Sequence, residues 1–380
     1  MTAGPGNGGP TRIAGHKDKL VVADGRATNL SDIIIGMVDP KAETFAELFG
    51  GTNIVAARAL RAGMRVITND WRRQSMYCSR AMLANRTEEP TDADAKRLVS
   101  GELVLGPVTK LYGGPLGREN ALEIDRIIRN ARELRAEGHE ELAVAAFYGI
   151  SHVIMDALSD YHLHLAADRK SFLGNEHLAK APLVDAWRRW LTCEYPRFLY
   201  GPDAPSVECH ARDAVELAGE ITADCIYVDT LYPGGGYDHL LDFRMLEDLC
   251  DIFEGVEEGR IGKWRPLPKH RFGSRQAYIG SMTQLLLRTA SCPQLIISIN
   301  TSCDVRPEEL VLMCRVVGRQ CVVHKYGIPL PSVVHMPHCS PNHECLLDCR
   351  LDGNLVAEVA DIRAELRRLA QGINLTGGRP

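Results

Sequence analysis

The chain has 380 residues, of which 45% are hydrophobic and 6% aromatic, and its formal net charge is -5. This length suffices for one large domain with an insertion or for two domains. No apolar stretch approaches the roughly 18–20 residues of a membrane span, and the N-terminus has no apolar signal core, so we expect a cytoplasmic protein. The acidic balance counts mildly against a protein bound permanently to duplex DNA.

The predicted elements, in chain order, describe a sheet interrupted by helices. Residues 1–12 are predicted to be a disordered lead-in, and S-D-I-I-I-G-M-V predicts a short helix. A strand over 45–49, an Ala-rich helix over 53–63 and a strand over 64–69 form a βαβ unit, which implies a parallel sheet. Helical spacing dominates from about 71 to 220. Further strands are predicted at 226–228, 294–299, 320–324 and 344–351. Further helices are predicted to begin near 307 and to cover 355–371.

Residues 45–53 read F-A-E-L-F-G-G-T-N, and Asp70 ends the next apolar stretch, R-V-I-T-N-D. A glycine turn after one strand, with an acidic residue after the following strand, is typical of α/β folds that bind a cofactor containing a ribose. The candidate cofactor-binding residues are therefore Phe49, Gly50, Gly51 and Asp70.

A second pattern, C-I-Y-V-D-T-L-Y at 225–232, places Asp229 directly after an apolar run and Tyr232 three positions later. A carboxylate can accept a hydrogen bond from the exocyclic N–H of a flat ring, and an aromatic side chain can stack on that ring. The two patterns together suggest an adenosine-bearing cofactor and an amino-bearing acceptor.

A basic run lies between residues 260 and 288, where the sequence has no acidic residue. It is the best candidate surface for phosphate contact, on DNA or on a nucleotide. The alternative is an ordinary solvated loop. The candidate residues are Lys263, Arg265, Lys269, Arg271 and Arg275.

Several segments, in order and spacing, resemble the DNA adenine methylases of the amino-methyltransferase group. The segments are G-H-K-D-K-L at 15–20, F-A-E-L-F-G-G-T at 45–52, N-D at 69–70, L-G-R-E-N-A-L-E-I-D at 116–125, D-T-L-Y at 229–232, H-L-L-D at 239–242 and S-I-N at 298–300. D-T-L-Y stands where the family has D-P-P-Y. The resemblance covers about residues 13 to 330.

The resemblance implies a class I methyltransferase fold, a Rossmann-like, mostly parallel α/β sheet with a helical insertion. It assigns 13–70 and 221–371 to the catalytic domain and 71–220 to target recognition. The implied cofactor is S-adenosylmethionine, with Lys17 beside its methionine part and Asp70 at its ribose. Asp229, the carbonyl of Thr230 and Tyr232 would hold the acceptor, which by resemblance is the N6 amino group of adenine in DNA.

The chain also departs from the family pattern. Both prolines of D-P-P-Y are replaced, Thr52 and Asn53 stand where another glycine is usual, and the insertion is net acidic. Two alternatives therefore stay open: a methyltransferase acting on a nucleoside or an amine metabolite, and a nucleic-acid-binding protein without catalysis.

The twelve cysteines are scattered singly, which favours reduced, mostly buried thiols. The C-terminal histidines and cysteines have no standard zinc spacing, so no metal is expected. By the resemblance, Cys345 and Cys349 share one face of a final strand and pack in the core.

Overall fold

The computed structural model describes residues 20–23, 26–85, 89–164, 179–230, 240–261, 271–301, 303–327 and 343–358. They divide into two compact units. The helical unit comprises residues 88–199 and 248–260. The sheet unit comprises residues 20–87, 200–247 and the chain from 261 onward.

The described strands form one nine-stranded sheet in the order β2-β1-β8-β9-β7-β6-β3-β4-β5. Strands β3 to β7 pair in parallel, whereas β9 runs antiparallel between β7 and β8, and β1 pairs antiparallel with both β2 and β8. The strands are β1 (Leu20–Ala23), β2 (Arg26–Asn29), β3 (Thr44–Glu47), β4 (Arg65–Asn69), β5 (Val207–His210), β6 (Cys225–Val228), β7 (Gln294–Asn300), β8 (Arg319–Gly327) and β9 (His343–Leu351).

The central strands are apolar because both of their faces are covered. Every residue of β6 and β7 is buried, as expected for parallel strands that lie between helical layers. This mixed α/β architecture with a mostly parallel sheet confirms the predicted fold class. The carboxyl ends of β3, β4, β6 and β7 lie along one edge of the sheet, since these strands run in parallel.

The helices connect the strands and fill the second unit. They are α1 (Leu30–Met37), α2 (Ile54–Arg61), α3 (Arg73–Ser79), α4 (Asp92–Leu98), α5 (Pro107–Tyr112), α6 (Arg118–Ala136), α7 (Glu140–His164), α8 (Leu183–Arg189), α9 (Ala214–Leu217), α10 (Leu240–Glu254), α11 (Arg275–Arg288), α12 (Pro307–Val316) and α13 (Gly353–Glu358). No described helix combines the length and the apolar character that a membrane crossing requires.

The main core of the sheet unit lies on the face covered by α9, α11 and α12. Tyr278, Met282 and Leu285 of α11 are fully buried there, against the apolar side chains of the strands. Cys345 and Cys349 belong to the same buried cluster, which confirms that they share a face of β9 and pack in the core.

The helical unit has a core of its own around α6 and α7. The indole Nε1 of Trp187 donates to the carbonyl of Ala146 (2.9 Å), and the rings of Phe147 and Phe253 stack with centroids 4.3 Å apart. Its bounds differ from the predicted insertion, 71–220. Residues 71–87 and 200–220 lie in the sheet unit, where β5 pairs with β4, and residues 248–260 lie in the helical unit.

Candidate functional site

The turn after β3 is built on two residues with left-handed backbone. Gly51 has φ 53° and Asn53 has φ 59°, a region in which residues with a Cβ are strained. Gly50 donates its N–H to the carbonyl of Asn69 (2.7 Å) and accepts from the N–H of Asn53 (2.6 Å). A Cβ placed on Gly50 would lie 2.4 Å from Oδ1 of Asn53. Both glycines are therefore required by this turn.

Asp70 follows β4 and is hydrogen-bonded to the same turn. Its Oδ2 accepts from the N–H of Gly51 (2.9 Å) and from Nη2 of Arg72 (3.2 Å). Its Oδ1 accepts from the N–H and the Nε of Arg72 (3.0 and 3.1 Å). A carboxylate has about four acceptor sites, so Asp70 is saturated by protein donors in this arrangement.

Helix α3 fixes the turn from the other side. The hydroxyl of Ser75 donates to the carbonyl of Gly51, and Nδ2 of Asn53 donates to the carbonyl of Ser75 (3.2 Å). Phe49 packs edge-on against Phe272, with ring centroids 5.4 Å apart. Phe49 is therefore part of the apolar packing beneath the turn.

Glu47, at the end of β3, is a third carboxylate near this edge of the sheet. It is 3% exposed, and its Oε2 accepts from the N–H of Ala56 in the first turn of α2 (2.9 Å). Burial raises the pKa of Glu47 well above its ordinary value; the bond from Ala56 opposes this, while the charges of Asp229 and Asp70 add to it. Glu47 was not among the predicted site residues, although an acidic residue inside the apolar segment F-A-E-L-F is a visible sequence signal.

Asp229 follows β6 and is half-buried. Next to it, burial raises the pKa of the Tyr227 phenol, the charge of Asp229 raises it further, and a hydrogen bond with Ser298 opposes the rise. The Ser298 hydroxyl donates to Glu344, which is fully buried, and Nδ2 of Asn300 also donates to it (3.4 Å). The ends of β6 and β7 thus carry a buried polar network that the sequence pattern indicated only in part.

Thr230 directs its hydroxyl toward Tyr278 of α11. The two hydroxyls lie side by side without the geometry of a full hydrogen bond. Burial raises the pKa of the Tyr278 phenol, and the contact with Thr230 opposes the rise. The side chain of Thr230 therefore packs toward the core. The backbone of Thr230 is the part that could contact a bound methyl acceptor.

The described residues of the predicted phosphate-contact run are engaged in ion pairs. Arg271 pairs through Nε with Asp213 (2.9 Å) and through Nη2 with Glu216 (3.3 Å), and Arg275 pairs with Glu309. Pairing with carboxylates reduces the charge that these two arginines present to a phosphate. Five other candidates lie outside the described residues: Lys17, Tyr232, Lys263, Arg265 and Lys269.

The turn, Asp70, Glu47 and Asp229 thus come together at one edge of the sheet. A model of the family described as D12 class N6 adenine-specific DNA methyltransferase matches residues 25–100. No curated protein and no solved structure matches the chain. The matched segment contains β3, the glycine turn, α2, β4 and Asp70. The match supports methyltransferase as the enzyme class and supports the assignment of this chain to the DNA adenine methylase family.

Proposed function

We propose that this protein transfers a methyl group from S-adenosylmethionine to the N6 amino group of adenine in DNA. The observation that carries the proposal is the family match over residues 25–100, which falls on the segment with the glycine turn and Asp70. The sheet order supports it, because ligands of open α/β sheets bind at the carboxyl ends of the strands.

The donor set fits this cofactor. S-adenosylmethionine supplies an activated methyl group on a positively charged sulfonium, and it carries a ribose. The charges of Asp229 and Asp70 both act on Glu47, and two carboxylates near one point favour a cationic ligand. Gly51 leaves room for a ligand to approach the backbone, because a Cβ there would meet nothing nearer than Nη2 of Arg72 at 3.8 Å.

In this proposal the residues of the chain bind and orient the acceptor. Asp229 accepts one N–H of the amino group, and the carbonyl of Thr230 accepts the other. Asp229 also stabilises the positive charge that develops on the nitrogen during transfer. Tyr232 stacks on the base, and a base in duplex DNA must flip out of the helix to reach this position.

Phosphate contact is assigned to Lys263, Arg265 and Lys269, because Arg271 and Arg275 already pair with carboxylates. Lys17 is assigned to the methionine part of the cofactor.

The test is transfer of labelled methyl from S-adenosylmethionine to unmethylated DNA, with N6-methyladenine identified by mass spectrometry. We expect label in adenine, and Asp229→Asn should lower kcat by about 100-fold or more, as loss of a group that stabilises transition-state charge does. Asn keeps the shape of Asp, so the melting temperature should change little.

Asp224, which directly precedes β6 as Asp229 directly follows it, provides a matched control. Its Oδ2 accepts from the N–H groups of Glu43 and Thr44 (2.9 Å each), at the amino end of β6. Asp224→Asn should reduce stability but leave turnover per folded molecule unchanged. Label that appears in a free nucleoside or amine and never in DNA would instead establish the small-molecule function. Absence of any transfer by a protein that binds S-adenosylhomocysteine would contradict catalysis.

A further inference from the structure

Three cysteine thiols converge on the side of the sheet unit away from the candidate active site. Cys321 of β8 and Cys349 of β9 are register partners, and Cys314 lies on α12. The three sulfur atoms all lie within 4.8 Å of one another. Cys349 also faces Leu295, near the amino end of β7, whereas Asn300 ends the same strand at the candidate site.

A buried guanidinium lies beside these thiols. Arg319 is fully buried and donates to the carbonyls of Thr289 (2.7 Å), Cys292 (2.8 Å) and Cys349 (3.3 Å). Its Nε has no hydrogen-bond partner, and no carboxylate in the described part of the chain bonds to it. The ionisable side chains that act on it are the thiols of Cys292, Cys314, Cys349 and Cys321.

A buried cation without a compensating anion is strongly unfavourable. Among the described residues, the cysteine cluster is the neighbouring group that can supply negative charge opposite Arg319.

We propose that Cys314, Cys321 and Cys349 form a binding site for a thiophilic divalent cation of the zinc type. Three thiolates, the guanidinium of Arg319 and one divalent ion sum to zero charge, which suits an apolar core. Thiolate sulfur is the ligand that such ions prefer. Cys321 is only partly buried, so a water molecule can complete the fourth position from its side. Binding displaces the remaining thiol protons to solvent.

A disulfide between Cys321 and Cys349 is the competing use of the same atoms, whose sulfurs lie 2.7 Å apart. Such a bond would remove the thiolate and leave Arg319 buried without an anion. Metal binding instead keeps the negative charge. With a zinc–sulfur bond of about 2.3 Å, the two sulfurs would have to separate by roughly 1 Å, which side-chain rotation can supply.

The test uses the full reduced chain, treated with a chelator and then titrated with Cd²⁺ as a spectroscopic substitute for Zn²⁺. We expect an ultraviolet thiolate-to-cadmium band that saturates at one ion per chain and is displaced by Zn²⁺. Cys314→Ser and Cys321→Ser should each abolish this band. Cys345→Ser is the matched control, because Cys345 is buried on the same strand and face but lies outside the cluster.

A second measurement needs no variant. Zn²⁺ should slow alkylation of Cys321 in the wild-type chain, measured by peptide mass spectrometry, without slowing alkylation of the exposed Cys193. Equal alkylation of Cys321 with and without Zn²⁺ would overturn the proposal. So would a Cys321–Cys349 disulfide in a protein that binds no Cd²⁺ after reduction.

Discussion

At the scale of single residues, a bound ribose would compete with protein donors for the carboxylate of Asp70. All four hydrogen bonds to its carboxylate come from the protein, and three of them come from Arg72. The hydroxyls of a ribose would need at least one of these acceptor positions. Cofactor binding at Asp70 therefore requires Arg72 to give up part of its contact.

Arg72→Met should consequently tighten the binding of S-adenosylhomocysteine. The substitution removes the competing donors and leaves more negative charge near the cofactor, so we expect an affinity gain of about 1 kcal/mol, the worth of an ordinary hydrogen bond. Isothermal titration calorimetry measures it. Arg73→Met is the control, because Arg73 pairs with Glu247 (3.2 Å) and not with Asp70. Weaker binding by the Arg72 variant would show that Arg72 positions Asp70 for the cofactor.

The sequence predicted Asp70 and Asp229 as candidate site residues because each one directly follows a buried strand. It could not locate the partners of these residues. Arg72 is two positions from Asp70 and has no distinguishing pattern, while Glu344 becomes a neighbour of Ser298 only through the pairing of β7 with β9. Such contacts depend on tertiary pairing and not on local spacing.

At the scale of elements, the glycine turn connects β3, α2 and β4. Gly51 and Gly63 both have positive φ, at 53° and 89°. They differ in position, because Gly51 donates to Asp70 while Gly63 lies beyond the end of α2 with open space around it. Substitutions at these two glycines therefore distinguish the effect of backbone strain from the loss of a role in the candidate site.

Gly51→Ala and Gly63→Ala should each reduce the free energy of unfolding by roughly 1–2 kcal/mol, because an alanine in the left-handed region is strained. Only Gly51→Ala should also weaken binding of S-adenosylhomocysteine, by tenfold or more. Chemical denaturation and calorimetry measure the two effects. An equal loss of affinity in the Gly63 variant would mean that strain alone, at either end of α2, disturbs the site.

Most elements were predictable because their apolar residues follow a clear period. The strands β3, β4, β6 and β7 lie close to their predicted bounds, and the helices α6 and α7 lie within the stretch that was predicted to be helical. Strand β5, V-E-C-H, was missed since it lies at the edge of the sheet and none of its residues is fully buried. Its composition does not indicate a strand, and its pairing with β4 is what holds it in the sheet.

At the scale of the whole molecule, the two units contain buried groups with opposite responses to pH. Burial lowers the pKa of His152 in the helical unit from 6.5 to about 4. The unfolded chain binds this proton below pH 6.5 while the folded unit does not, so stability falls as pH drops from 6.5. Glu47 behaves in the reverse sense. Its raised pKa means that its contribution to stability is lost as pH rises above 4.5.

Acidification from pH 7 to 5 should therefore loosen the helical unit around residues 142–154 before the sheet unit. Hydrogen exchange, corrected for intrinsic rates, measures this locally. The full effect of His152 by about pH 4 is about 3 kcal/mol, because each tenfold change in proton affinity is worth 1.36 kcal/mol. His152→Phe should remove this acid sensitivity, while His139→Gln, at an exposed position, should keep it. Unchanged acid sensitivity in His152→Phe would contradict the assignment.

The helical unit is assembled from two separate stretches of chain, 88–199 and 248–260, with β5 and β6 of the sheet between them. During translation, β6 is therefore synthesised before the second stretch of the helical unit. A nascent chain that ends at residue 247 lacks Phe253, and so the ring of Phe147 lacks its stacking contact with that residue. The helical unit can complete its core only after most of the parallel strands are synthesised, and an excised fragment of residues 88–199 would expose that aromatic surface.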